Sequence, residues 1–233
     1  TTTADNGDRT YTVTLYDDLK YSDGSDITAK DYVFNFLLMS SPQIRELSGL
    51  SVTTDYIQGF KEYIDGDEPF FSGVRLIDDL TFSVLVTAEN LPYYFELSYI
   101  NNYPLPYKVL IPGSDIVDEG EGAFISGDFT AETLRETLLN PQTGYMSHPT
   151  VTSGPYKLIH YDSAARQAEF ELNAYYKGNY EGQVPAIPRI IFREIKNENI
   201  IAELNAGTVD LVNKVSEGQV INAGVELAEN GGF

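Results

Sequence analysis

Between Tyr11 and Leu15 apolar and polar residues alternate, with Tyr11, Val13 and Leu15 on one face and Thr12 and Thr14 on the other. That period of two is the mark of a half-buried strand. The turn formers Tyr21-Ser22-Asp23-Gly24 follow. Thr28 then stands at an N-cap position with Asp31 three residues on, ahead of Val33, Phe34, Phe36, Leu37 and Leu38, so a buried helix is expected to end before Pro42. A second helix is expected over Gln43 to Leu50, and helical spacing of Ile57, Phe60 and Ile64 points to a third around Tyr56 to Tyr63. Val74 to Ile77 and Thr81 to Val86 read as a hairpin turning at Asp78-Asp79. Pro92 is placed to open a short helix running to Tyr99.

From Ile111 to Pro149 periodicity is poor and Gly, Asp and Pro are frequent, apart from a helix that Thr130 can cap through Leu134, Leu138 and Leu139. Beyond it the pattern predicts a strand over Tyr156 to Tyr161, a turn at Asp162 to Ala165, and a returning strand from Arg166 to Leu172. Another strand follows at Ile190 to Ile195, then a helix that Asn197 caps and Gly207 stops. A short apolar strand at Val209 to Val212 and a helix over Gln219 to Ala228 complete the pattern. No repeat of 20 to 50 residues is visible. The expected class is α+β, with strands and helices mixed along the chain.

Composition narrows the function. The 233 residues are 42% hydrophobic, enough for a sizeable core. Fifteen Lys and Arg against 35 Asp and Glu give a charge of −20, which repels phosphate backbones and argues against a nucleic-acid partner. Without Cys there is no thiolate nucleophile, disulfide or Cys-ligated zinc. The chain begins at Thr1 without a charged-then-apolar leader, which is expected to reflect a processed or engineered terminus.

The candidate chemistry is sparse. The imidazoles are His148, in a loop before Pro149, and His160, near a strand end, and neither sits in a nucleophile–base motif. No phosphate-binding glycine loop or zinc-ligating helix motif occurs. The acid clusters Asp17-Asp18, Asp65-Gly66-Asp67-Glu68 and Asp118 to Glu121 fall in expected turns and are read as solvated; a calcium loop opening at Asp65 would need an acid where Leu76 stands. No catalytic residue, metal ligand or cofactor is therefore assigned. Seventeen tyrosines suit a core or a binding cleft, and Tyr99 to Tyr107 places amides and rings beside two prolines, a rigid presentation fitted to a ligand.

Several ordered segments carry a resemblance. Tyr11 to Phe36 contains Ser22, Asp23, Gly24, Thr28, Ala29 and Asp31 in an S-D-G-x-x-x-T-A-x-D pattern; Ile57 to Gly66 and Ser72 to Val86 contribute a helix and a G-V-x-x-x-D-D-x-T hairpin. Tyr103 to Leu110, Thr152 to Tyr161, Leu172 to Gly178 and Glu203 to Val212 continue the series, with Ala174 and Ser153 departing from the usual residues. In this the chain resembles the solute-binding proteins of ABC importers for oligopeptides, dipeptides and nickel, extracellular solute-binding protein family 5. The resemblance implies a periplasmic-binding-protein-like fold of the class with an extra subdomain, here incomplete. It implies residues 1–110 as that subdomain, 111–149 as a crossover and 150–233 as part of the first ligand-binding lobe. It implies a monomeric, non-enzymatic protein outside the cytoplasm, held to the membrane only by a lipid anchor outside this chain, with a peptide ligand and importer permease subunits as partners. By the same resemblance Asn101, Asn102, Tyr103, Thr152, Ser153 and Gly154 face the ligand cleft. Two readings from other classes stay open: a two-carboxylate hydrolase, which needs two acids converging in one pocket, and a structural surface domain, which needs no cleft.

Overall fold

A computed structural model describes residues 1–47 and 54–231. Contacts divide the chain into two compact units, Thr1–Ile159 with Phe170–Ile190, and His160–Glu169 with Ile191–Phe233. The first is organised around a four-stranded antiparallel sheet of β1 (Thr2–Thr3), β2 (Arg9–Thr14), β3 (Val74–Leu76) and β4 (Thr81–Val86), in the order β1-β2-β4-β3. Its register explains the alternation in the sequence. Tyr11 pairs with Val84 and Val13 with Phe82, while Val74 and Leu76 oppose the same two residues from β3. Two rows of apolar side chains, Tyr11-Val84-Val74 and Val13-Phe82-Leu76, thus cross three strands on a single face.

The helix α1 (Ala29–Met39) packs against β3 and β4 and also meets α2 (Pro42–Glu46), α4 (Tyr107–Leu110) and the hairpin of β5 (Asp115–Asp118) and β6 (Ala123–Ser126). It is covered on several sides, which is why Ala29, Val33, Phe34, Phe36, Leu37 and Leu38 are all buried around its circumference. Its start is set as the spacing predicts: Asp31 Oδ2 accepts from the Thr28 amide at 2.8 Å and hydroxyl at 3.0 Å. Ser41 caps α2, accepting from the Ile44 amide at 3.1 Å. The part of the expected second helix beyond Leu47 lies outside the described residues.

The third helix, α3 (Phe60–Asp65), starts later than its periodicity suggests, because Ile57 is drawn into a β-bridge with Val86. Pro92 opens no helix. The chain there forms a 3₁₀ turn at Glu96–Ile100, and its rings pair with one another: Tyr56 stacks on Tyr99 with centroids 4.3 Å apart and Tyr93 lies 5.2 Å from Tyr99. With Tyr94, Phe95 and Leu97 exposed, the stretch has no continuous buried face to hold a longer helix.

The β5–β6 hairpin is the main element absent from the sequence reading. Ile116 pairs with Ile125 and Val117 with Phe124, and Phe71 bridges to Ala123 with its amide 2.8 Å from the Ala123 carbonyl. The approach is possible because Gly122, at φ +152°, has no side chain; a Cβ there would come within 2.7 Å of the Phe71 carbonyl oxygen and of Ser72 Cα. Gly122→Ala is expected to destabilise the protein by about 2 kcal/mol in urea titration. Gly120→Ala, in the same turn with nothing within 4 Å of its Cβ, is expected to show only the smaller cost of its backbone angle.

Thr130 caps α5 (Ala131–Leu134) as expected, accepting from the Thr133 amide at 3.1 Å, and a π-helical turn continues over Arg135–Leu139. A three-stranded sheet of β7 (Tyr156–Asp162), β8 (Gln167–Leu172) and β9 (Arg189–Arg193), in that order, follows, and its strands contribute residues to both units. In the second unit, Asp162 Oδ1 accepts from the amides of Ala164 and Ala165, both at 2.9 Å, closing the turn between β7 and β8. Helices α6 (Ile200–Asn205) and α7 (Gly218–Glu229) belong to this unit. Asn197 opens a 3₁₀ turn ahead of α6 and gives its side chain to Glu217, and Gly207 stops α6 at φ +65°. Val209–Val212 forms no strand; among the described residues it has no β partner, and Leu211 is exposed. Ile191, Phe192, Ile221 and Val225 are exposed as well, and Ile200 is the buried residue of α6.

Candidate functional site

The residues singled out by sequence lie in two segments of the first unit, each held by its own set of neighbours. Residues 102–105 run along α1. Asn102 Nδ2 donates to the Tyr32 carbonyl at 2.8 Å, Asn35 Nδ2 donates to the Tyr103 carbonyl at 2.9 Å, and the Leu105 amide donates to the Asp31 carbonyl at 3.1 Å. Asn102 Oδ1 also receives the Tyr103 amide at 2.9 Å. The backbone is thereby pinned while the Tyr103 ring stays 62% exposed. Asn101 ends the 3₁₀ turn and is exposed.

The second segment begins at buried Val151, which packs with Tyr21 and Ile27, with Tyr32 partly buried beside them. Thr152 exchanges two hydrogen bonds with Ser22: the Ser22 amide donates to the Thr152 carbonyl at 2.8 Å, and the Thr152 amide donates to Ser22 Oγ at 3.0 Å. The Gly154 carbonyl accepts from Asn173 Nδ2 at 2.9 Å. Tyr145 anchors the second segment further, its hydroxyl donating to the Val151 carbonyl at 2.5 Å. Burial pushes the Tyr145 hydroxyl up to about 12, so it stays a protonated donor at neutral pH.

Beneath both segments lies a buried polar group. Asp31 is pushed above the ordinary carboxylate range by burial, with the Thr28 amide and hydroxyl opposing that rise. The buried Tyr21 hydroxyl faces Asp31 and is driven up by desolvation first and then by that carboxylate's charge. Asp31 therefore fixes the start of α1, from which the 102–105 segment is hung.

The acid-rich turns are more engaged than solvation alone predicts. Asp18 pairs with Lys177 at 3.0 Å, and Asp65 with Arg45 at 2.6 Å and Lys61 at 2.7 Å. Asp118 meets Arg75 through two hydrogen bonds, 2.7 and 3.0 Å, and also accepts from the Leu76 and Gly120 amides. Two open clefts, one of about 500 Å³ beside Tyr161, Arg166 and Phe192 and one of about 280 Å³ beside Glu62, Glu68 and Phe70, contain none of the predicted site residues. Among the described residues no group of three His, Cys, Asp or Glu is placed to hold a metal ion, and no helix is long and apolar enough to cross a membrane. Sequence reasoning missed the supporting residues Ser22, Tyr32, Tyr145 and Asn173 as part of the site; Ser22 and Asn173 belong to motifs already quoted, and that was their available signal.

Residues 2–230 match the family described as bacterial extracellular solute-binding proteins, family 5 Middle. The periplasmic oligopeptide-binding protein OppA of Escherichia coli is 26% identical over 202 residues, covering 83% of this chain and 36% of that protein. A dipeptide-binding protein of Lactococcus lactis is 28% identical over 226 residues, covering 91% of this chain and 36% of its own length. The chain thus spans about a third of the length of the curated relatives it matches. Among solved structures, lactococcal OppA, complexed with an endogenous peptide in a closed conformation, superposes with a TM-score of 0.68 at 23% identity, over 91% of this chain and 35% of that one. OppA of Listeria monocytogenes bound to peptide gives 0.62 at 18% identity, over 90% and 35%. These likenesses bear out the mixed α/β, periplasmic-binding-protein-like fold expected from the motifs.

Proposed function

Because the chain belongs to the bacterial extracellular solute-binding proteins of family 5, we propose that it supplies one wall of a peptide site in an extracytoplasmic receptor that delivers peptides to an ABC importer. The wall consists of Asn101, Asn102 and Tyr103 with Thr152, Ser153 and Gly154. One observation carries this reading: both segments are tied inward through their backbones, one to α1 and one to Ser22 and Asn173, while the Tyr103 ring and Ser153 are left for a ligand. Among the described residues Ser153 makes no hydrogen bond of its own. An amide and a carbonyl presented in this way match the main chain of an extended peptide, and an exposed ring adds sequence-tolerant contact. In the acid-rich turns Asp18, Asp65 and Asp118 are engaged in ion pairs with Lys177, Arg45 and Arg75.

In the same reading residues 1–110 form the extra subdomain, 111–149 a crossover and 150–233 part of the first lobe. The importer permease subunits are the partners, and a lipid anchor outside this chain tethers the receptor. The test is titration calorimetry of the complete gene product with a pool of synthetic pentapeptides. Tyr103→Ala is expected to weaken binding about tenfold, the worth of one aromatic contact. Unchanged affinity would remove this wall from the site.

A further inference from the structure

We infer that Ser22 is a positioning residue for the ligand wall, holding the 151–155 loop in its binding shape from 130 positions away in sequence. This rests on the reading of Thr152, Ser153 and Gly154 as part of that wall.

Among the described residues Ser22 is the one that engages both the amide and the carbonyl of Thr152. Its own turn is closed independently: Asp23 Oδ1 accepts from the Ser25 amide at 3.0 Å and hydroxyl at 2.6 Å, the Tyr21 amide donates to the Ser25 carbonyl at 2.8 Å, and the Gly24 amide donates to the Tyr21 carbonyl at 2.9 Å. The loop is held from its other end by Asn173, which is 4% exposed. Its Nδ2 donates to Gly154, its amide to the Pro155 carbonyl at 2.9 Å, and its Oδ1 accepts from the Tyr175 amide at 3.0 Å.

The two holders are also fitted to each other. Gly24, at φ +88°, lies so close to Tyr175 that a Cβ would stand 2.9 Å from the ring's Cζ and Oη. The turn that carries Ser22 is therefore seated against the segment that carries Asn173. Between these two grips Ser153 is the loop residue without an inward bond. A loop fixed on either side of one free residue loses little conformational entropy when that residue meets a ligand. Releasing the Ser22 grip makes each binding event bear the ordering cost again.

The test uses the complete gene product, the pentapeptide pool, and amide hydrogen exchange of residues 151–155 and of α1. Ser22→Ala is expected to weaken binding about five- to tenfold and to speed exchange in the 151–155 loop, with α1 unchanged. Ser22→Thr, which keeps the hydroxyl, is expected to restore both. The inference fails if Ser22→Ala binds normally, if Ser22→Thr is as weak as Ser22→Ala, or if α1 amides speed up equally, since the last would mean general destabilisation. Tyr103→Ala separates the two levels. Loss of affinity there with normal Ser22→Ala binding overturns the positioning role alone, whereas normal binding by both variants overturns the wall itself.

Discussion

Replacing Phe82 with alanine is expected to lower unfolding stability by about 3–5 kcal/mol, the largest effect of any single change considered. Phe82 is 1% exposed at the centre of one of the two apolar rows that cross the sheet, opposite Val13 on one side and Leu76 on the other. Its ring stacks on Tyr32 with centroids 5.7 Å apart and meets Phe36 at 6.5 Å. Truncation leaves a cavity walled by two strands and α1, elements held by backbone hydrogen bonds that cannot collapse inward, so the cavity cost adds to the lost burial. Urea denaturation checks it, with the midpoint falling and the denaturant slope kept. Because Tyr32 also carries the carbonyl that receives Asn102, the same variant is expected to loosen the 102–105 segment. A loss below about 1 kcal/mol would mean that the sheet and α1 do not share one rigid core.

The second large effect is electrostatic. Arg75→Met is expected to cost about 3 kcal/mol at neutral pH, because it strands a carboxylate whose side chain is 2% exposed. The figure stays at the low end of the range for broken buried pairs, since Arg75 itself is 39% exposed and Asp118 keeps the Leu76 and Gly120 amides. In the native protein burial alone would raise the Asp118 carboxyl, but Arg75 and those two amides reverse it, leaving it below the ordinary value of 3.8. A depressed folded pKa contributes stability that is complete above 3.8 and is lost as pH falls through the folded value. In Arg75→Met the largest lowering influence on the carboxyl is gone, so its folded pKa is expected to rise and the stability that the pair adds above the native folded value is lost. The gap between the two proteins should therefore be widest at neutral pH and shrink below about pH 4. Melting curves at a series of pH values read this directly, and a gap that persists unchanged in acid would contradict it.

Elements whose apolar spacing matched their environment were legible before any coordinates. The Tyr11–Leu15 alternation became β2, the Asp78-Asp79 hairpin became β3 and β4, and Thr28 with Asp31 set the start of α1. Each is specified by residues a few positions apart, so local pattern sufficed. The β5–β6 hairpin was not legible, because its strands of four residues are too short for a clear period and lean on Phe71, Arg75 and α1, distant in sequence. The opposite error occurred at Val209–Val212, where an apolar run found no strand to pair with. An apolar run is a necessary condition for a strand; the partner is supplied by tertiary structure.

The candidate site divides in the same way. Its residue types came from ordered motifs, and with them the family and the mixed α/β class, because motif order survives at 26% identity when contacts cannot be seen. The sequence by itself thus determined the kind of protein and the two segments at stake. Only the folded chain decided what holds them: the exchange between Ser22 and Thr152, the Asn173 grip on Gly154 and the Asn35 grip on the Tyr103 carbonyl. These are hydrogen bonds between groups every residue or many residues possess, brought together across long stretches of chain. Their identity carries no periodicity and no spacing, so nothing short of the three-dimensional arrangement reveals them.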